Sequence, residues 1–265
     1  MKKKIIFSIF TAIVIAMTFV TSCKQEDVSS NKLTSNPYDY IGVIHNQGMT
    51  KLRDSLLANS SLNLDSYVSK FIGNKIDLNA QPLLLNNINS VISKVKAKNT
   101  FNAMKVKSND SLDVVIENSN LTEYQKAYMD SVLSTLDGDI NIKESILKLE
   151  SNVLISNKSE KEKEPILCVI AVTKYSLDFW TESLNNSQQV KMYKVQSSCA
   201  KLSASTAAKA DAGGAITGAV GSILSGASTT GLVFGPGGYV LTTAGAAVSG
   251  ALYSSGLYLL SGGFF

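Results

Sequence analysis

Residues 122–136 read TEYQKAYMDSVLSTL, and the fold class rests on how that stretch is punctuated. Thr122 and Gln125 have the spacing of a capping box. In that motif the threonine hydroxyl accepts from the backbone N–H at the third helical position, and the glutamine accepts from the threonine N–H. Tyr124, Tyr128, Val132 and Leu136 then recur every fourth residue, on one helix face. Asn141 and Glu144 repeat the opening signal, followed by Ile142, Ile146, Leu149 and Val153 in steps of four, three and four. Upstream, Tyr67, Val68, Phe71 and Ile72 make a short apolar stripe, and Leu84, Ile88, Val91, Ile92 and Val95 a longer one. No stretch alternates with period two between hairpin turns. The spacing predicts an all-α protein from Thr50 onward.

Downstream, residues 156–165 (SNKSEKEKEP) read as a solvated, charged linker ending in Pro165, a residue suited to a first helical turn. Ile166 to about Leu184 is apolar almost all round at its start, as a central core helix would be. Asn185-Asn186-Ser187 makes a turn, and a second helix is expected from about Gln188 toward Asp211. In such a hairpin Cys168 and Cys199 lie about one helical turn out of level, roughly 5–6 Å. Tilt or fraying would let them form a disulfide; the alternative is two separate buried thiols.

Asp211 is the last charged residue. The 54 positions from 212 to 265 contain no Lys, Arg, Asp, Glu or His and hold 14 of the 18 glycines. Gly214, Gly218, Ser222 and Gly226 recur every fourth residue, as do Thr242, Ala246, Gly250 and Ser254. Small side chains on one helix face let two backbones approach closely. Gly235-Pro236-Gly237-Gly238 breaks the run, so the tail reads as an uncharged helical hairpin whose packing residues are Gly214, Gly218, Ser222, Gly226, Ala246, Gly250 and Ser254. It resembles the glycine-zipper hairpins of some outer-membrane lipoproteins and of membrane-active bacteriocins. Two readings follow: the hairpin inserts or self-associates in a bilayer, or it packs as core of its own domain. The second is favoured, because uncharged helices with few large apolar residues insert only marginally.

The whole chain has 265 residues, 45% hydrophobic and 17% charged, which excludes wholesale disorder. Its formal charge is +4, but Lys2, Lys3 and Lys4 belong to a segment expected to be removed, leaving +1. That argues against nucleic acid as a partner. A single histidine, His45, rules out a multi-histidine metal site, and no metal or cofactor is expected. His45 is expected in a loop or at a helix end, bonded to backbone, with no catalytic residue assigned. The tail glycines lack the lysine that a phosphate-binding loop requires, since none follows Lys209. Asp137-Gly138-Asp139-Ile140-Asn141 resembles the start of an EF-hand, but Ile142 and Lys148 fall where glycine and a bidentate glutamate belong.

The N-terminus carries the most specific motif. Lys2-Lys3-Lys4 precede an uncharged apolar run of 16 residues, Ile5 to Val20, then Val20-Thr21-Ser22-Cys23. The run is short for a spanning helix, which disfavours an uncleaved anchor. Aliphatic, small, small and cysteine resemble the lipobox of bacterial lipoproteins. That resemblance implies fatty acylation of Cys23, loss of residues 1–22 and attachment to a membrane through lipid. Lys24-Gln25-Glu26-Asp27 resembles the signal of surface-exported Bacteroidota lipoproteins, implying an outer-membrane, cell-surface address. Asn36 to Gly48 (NPYDYIGVIHNQG) is similar to a segment of uncharacterised lipoproteins of that phylum and implies no activity.

The expected organisation is a signal peptide at 1–22, a lipidated polar tether at 23–36, an all-helical domain at 37–211 and the hairpin at 212–265. The expected function is a surface-anchored, non-enzymatic interaction or structural role, with self-association or a protein partner reached through the hairpin. The alternative is a bacteriocin-like effector whose hairpin enters a target membrane.

Overall fold

Two helices without a single charged residue on their facing surfaces occupy the middle of the molecule, and the amphipathic helices are arranged around them. A computed structural model describes residues 35–58, 62–75, 110–138, 140–185, 203–224 and 236–260, with residues 89 and 93. Eight helices and no strand occur among them: α1 (Asp39–Ala58), α2 (Leu64–Gly73), α3 (Asp110–Glu117), α4 (Glu123–Leu136), α5 (Ile142–Ile155), α6 (Glu160–Asn185), α7 (Ala204–Leu224) and α8 (Pro236–Tyr258). The protein is all-α. Residues 36–265 make one compact unit, and α7 runs unbroken across the 211/212 composition boundary. The long stripe from Leu84 to Val95 and the lipobox lie outside the described residues.

Local signals explain most helix starts. Gln125 N–H donates to Thr122 Oγ1 at 3.2 Å and Thr122 N–H to Gln125 Oε1 at 2.9 Å, completing the capping box of α4. Gln125 Nε2 also donates to the Glu162 carbonyl at 3.1 Å, tying α4 to the first turn of α6. Asn141 does precede α5, but without the expected cap. Its backbone is left-handed, with φ of 56°, and its side chain makes no capping bond. Asparagine tolerates that region better than most residues.

The charged stretch 156–165 corrects the linker reading. It opens α6 at Glu160, with Ser159 and Glu162 as a second capping box. Glu162 N–H donates to Ser159 Oγ at 3.3 Å and Ser159 N–H to Glu162 Oε2 at 3.1 Å. Pro165 therefore lies inside the helix, and Lys163 and Glu164 are buried rather than solvated. Lys163 Nζ escapes by donating to the Leu154 carbonyl at 3.3 Å.

α6 is the central strut. Its 26 residues extend about 39 Å, and it packs against α1, α4, α5, α7 and α8. Ile166 to Thr173 are all buried, which is why this segment is apolar on every side. The most extensive pairing in the molecule is α7 on α8. Cβ atoms built on Gly214, Gly218 and Gly250 would fall under 3.0 Å from the carbonyls of Gly250, Ala246 and Gly214 respectively. Backbone meets backbone there, so only glycine fits. Ser254 Oγ lies 2.6 Å from the position a Gly214 Cβ would take. Ser222 is buried, donating to the Ala219 carbonyl at 2.8 Å. Gly226 lies outside the described residues. Among the described residues, no helix is long and apolar enough to cross a membrane.

Candidate functional site

The apolar stripe of α1 is Ile41, His45, Met49, Leu52 and Leu56, all buried, so the lone histidine sits where a core residue is due. This corrects the loop or helix-end position expected for it. Across from His45 stands Asp211 on α7, equally inaccessible, with His45 Nε2 3.6 Å from Asp211 Oδ2. From α6, one helical turn apart, Ser176 Oγ donates to that same Oδ2, and Trp180 Nε1 does so at 2.9 Å. On the other side of the imidazole, Nδ1 lies 3.1 Å from Asn46 Oδ1. Three helices thus converge on one carboxylate.

Burial dominates the electrostatics. It pushes the His45 imidazole down to about 4 against the opposing Asn46 bond. It raises the Asp211 carboxyl to about 7, with Ser176 and Trp180 pulling the other way. Glu164 on α6 has been pushed up to about 8 by burial, opposed by a hydrogen bond from Thr243 of α8. It is therefore a neutral acid at neutral pH. Cys168, one turn further along α6, is a free and fully buried thiol, raised by burial and then by Glu164. No disulfide joins it to another described residue. The expected partner, Cys199, lies outside the described residues.

A second polar network fastens the start of the body. Asn36 Nδ2 donates to Glu150 Oε1 and to the Leu167 carbonyl, both at 2.9 Å, while its Oδ1 accepts from the Tyr38 N–H. Lys174 pairs with Glu150 at 2.9 Å and with Asp39 at 2.7 Å. Burial alone would lower the Lys174 ammonium; bonds to Asp39 and Glu150 outweigh it and raise it. Other residues of the NPYDYIGVIHNQG segment also meet internal partners. Gly42 lies against the Tyr175 ring, Asn46 Nδ2 donates to the Tyr175 carbonyl at 2.8 Å, and Gly48 accepts from Tyr67 Oη at 2.7 Å.

Ser176, His45 and Asp211 do not form a nucleophilic relay. Such a relay needs the serine hydroxyl on the imidazole, so that the ring can take its proton. Here the serine bonds the carboxylate instead, deep in the interior. Among the described residues no three His, Cys, Asp or Glu side chains gather as a metal set. At the α7–α8 contact a Cβ on Gly214 would meet Gly250 and Ser254 and one on Gly218 would meet Ala246, Ser222 faces Thr243, and Gly226 and Cys23 fall outside the described residues. Sequence reasoning missed the pairing of His45 with Asp211. Two signals pointed to it: a histidine in register with Ile41 and Met49, and Asp211 as the single carboxylate of α7 and the last charged residue of the chain. Compared with known proteins, the chain matches no family model, no curated protein and no solved structure.

Proposed function

We infer that this protein is a lipid-anchored helical lipoprotein of the outer membrane, exposed at the cell surface, with a non-enzymatic binding or structural role. The observation that carries this reading is the position of α7 and α8. Their small faces pack on each other within the body, which fits attachment through lipid on Cys23 rather than through the hairpin. The buried polar side chains of Asn36, Gln125 and Glu150 fit the same reading, since they bond internal partners. Protein partners or further copies of the chain would then be met by the outer faces of the amphipathic helices.

Mass spectrometry of the protein taken from cells tests the anchor. Acylated Cys23 and absent residues 1–22 are expected, and Cys23→Ala should leave the chain unprocessed; intact residues 1–22 on the wild type would refute it. Protease digestion of whole cells tests the surface address. A second reading, the membrane-active effector, draws on the absence of charge across residues 212–265. In that case the hairpin would leave the core for a target bilayer. Dye release from liposomes by the intact chain supports the effector, and intact vesicles support the anchored body.

A further inference from the structure

We propose that His45 and Asp211 act as one proton-holding unit that keys α7 to α1 and α6, with Nδ1 of His45 protonated and one further proton held between Nε2 and the carboxylate. The reasoning begins at Asn46. Its Nδ2 donates to the Tyr175 carbonyl at 2.8 Å, and a carbonyl can only accept. That bond fixes the orientation of the amide from the network itself, so the atom facing His45 Nδ1 at 3.1 Å is the amide oxygen. Oxygen there also only accepts, so Nδ1 must carry hydrogen. The remaining ring nitrogen, Nε2, faces Asp211 Oδ2 at 3.6 Å. With Nδ1 occupied, a proton on that side either completes an imidazolium beside a carboxylate or sits on an acid beside a bare nitrogen. Both arrangements contain the same atoms and carry no net charge.

Removing that proton would leave a carboxylate opposite a nitrogen lone pair, with both groups fully buried. Adding another would leave an imidazolium with no counter-charge. Each outcome places an uncompensated charge in a dry interior, which is costly. The other described groups facing the pair do not relieve it. Asn46 is on α1, Ser176 and Trp180 on α6 already donate to Asp211, and Tyr258 on α8 is itself raised by burial and by Asp211. Burial moves the two members in opposite directions, His45 down to about 4 and Asp211 up to about 7, so one proton remains between those limits. An unfolded chain also holds one proton on these two side chains from about pH 4 to about 6.5. The docking of α7 is therefore insulated from pH across that interval, where a lone buried histidine would loosen it.

Because His45 is the sole histidine, full-length untagged chain labelled with 15N-histidine gives the ring nitrogens of one residue. The expected spectrum shows Nδ1 bearing hydrogen and no titration between about pH 5 and 6.5, where a free imidazole changes charge. A bare Nδ1 with hydrogen only on Nε2, or a free-histidine titration, would overturn the proposal in the wild type alone. Asp211→Asn provides the second arm. If it folds, the lone imidazole must give up its proton on folding, so the stability of the variant relative to wild type should rise between about pH 4 and 6.5; a difference that does not change with pH would also overturn the proposal.

Discussion

α4 and α5 hold together by interdigitating large side chains, whereas α7 and α8 hold together because they have almost none at the contact. Met129, Val132 and Ile146 are fully buried in the first region. In the second, Gly214, Gly218 and Gly250 bring one backbone against the other. The two regions should therefore respond in opposite senses to a change of volume. One loses energy when a side chain is shortened; the other when one is added.

Gly218→Leu attacks the second region at its tightest point and is expected to have the largest effect. The new side chain would meet the Ala246 carbonyl, which cannot rotate away. Overpacking of a core costs about 1–3 kcal/mol, and a backbone obstacle puts this variant at or beyond the upper end. Circular dichroism melts should show loss of the cooperative transition or a drop of many degrees. Gly256→Ala is the internal control: its Cβ would meet the Leu64 methyl groups, the free end of a side chain that can turn aside. Equal damage from the two would end the distinction between backbone and side-chain contact.

Ile146→Ala tests the first region. Removing a fully buried isoleucine should cost about 2–5 kcal/mol, read as a lower denaturant midpoint without a change in slope. A silent result would mean that α5 is held by its polar network to Asn36 and Lys174 instead.

Glu164, on α6 and bonded by Thr243 of α8, gives the comparison a pH dependence. Its folded-state value lies above the unfolded one, so its contribution is fully present below about 4.5 and is lost as pH rises through about 8. The His45–Asp211 unit changes its proton count little over the acid part of that window, which leaves Glu164 as the main contributor. Melting temperature should fall between pH 5 and pH 8, and Glu164→Gln should flatten the decline. An undiminished slope in that variant would assign the effect elsewhere.

The smallest effect is expected from Thr122→Ala. Losing the N-cap hydroxyl should cost about 1 kcal/mol, or roughly 2–4 °C in melting temperature for a domain of this size. Thr122→Ser should restore most of it.

The regions also differ in how much of them can be read from sequence. Helix faces with large residues announce themselves: the capping box at Thr122 and the stripe through Val132 and Leu136 are local patterns, and α4 follows them. Four-residue spacing of glycines likewise marks the contact in α7 and α8. It does not say whether the surroundings are protein or lipid, because both favour close approach. Burial of Glu164 was hidden for a different reason. It sits among Lys161, Glu162 and Lys163, and a charge run reads as solvated unless the helix that carries it is known to begin at Glu160. The His45–Asp211 pair spans 166 positions and depends on α1 and α7 both packing on α6, which no local rule encodes.

The order in which the helices occur along the chain has a consequence for biogenesis. The innermost layer is made from α7 and α8, which leave the ribosome after every other described helix. α1, α4, α5 and α6 emerge earlier with their apolar faces exposed, and cannot complete a core until residues 204–260 arrive and find partners up to two hundred positions away. Such long-range closure is slow relative to local helix formation. A nascent chain of this topology stays open until α7 and α8 have been made. By the same logic, a chain cut short before Ala204 would expose the surface of α6 that α7 and α8 cover and be marked for proteolysis rather than fold.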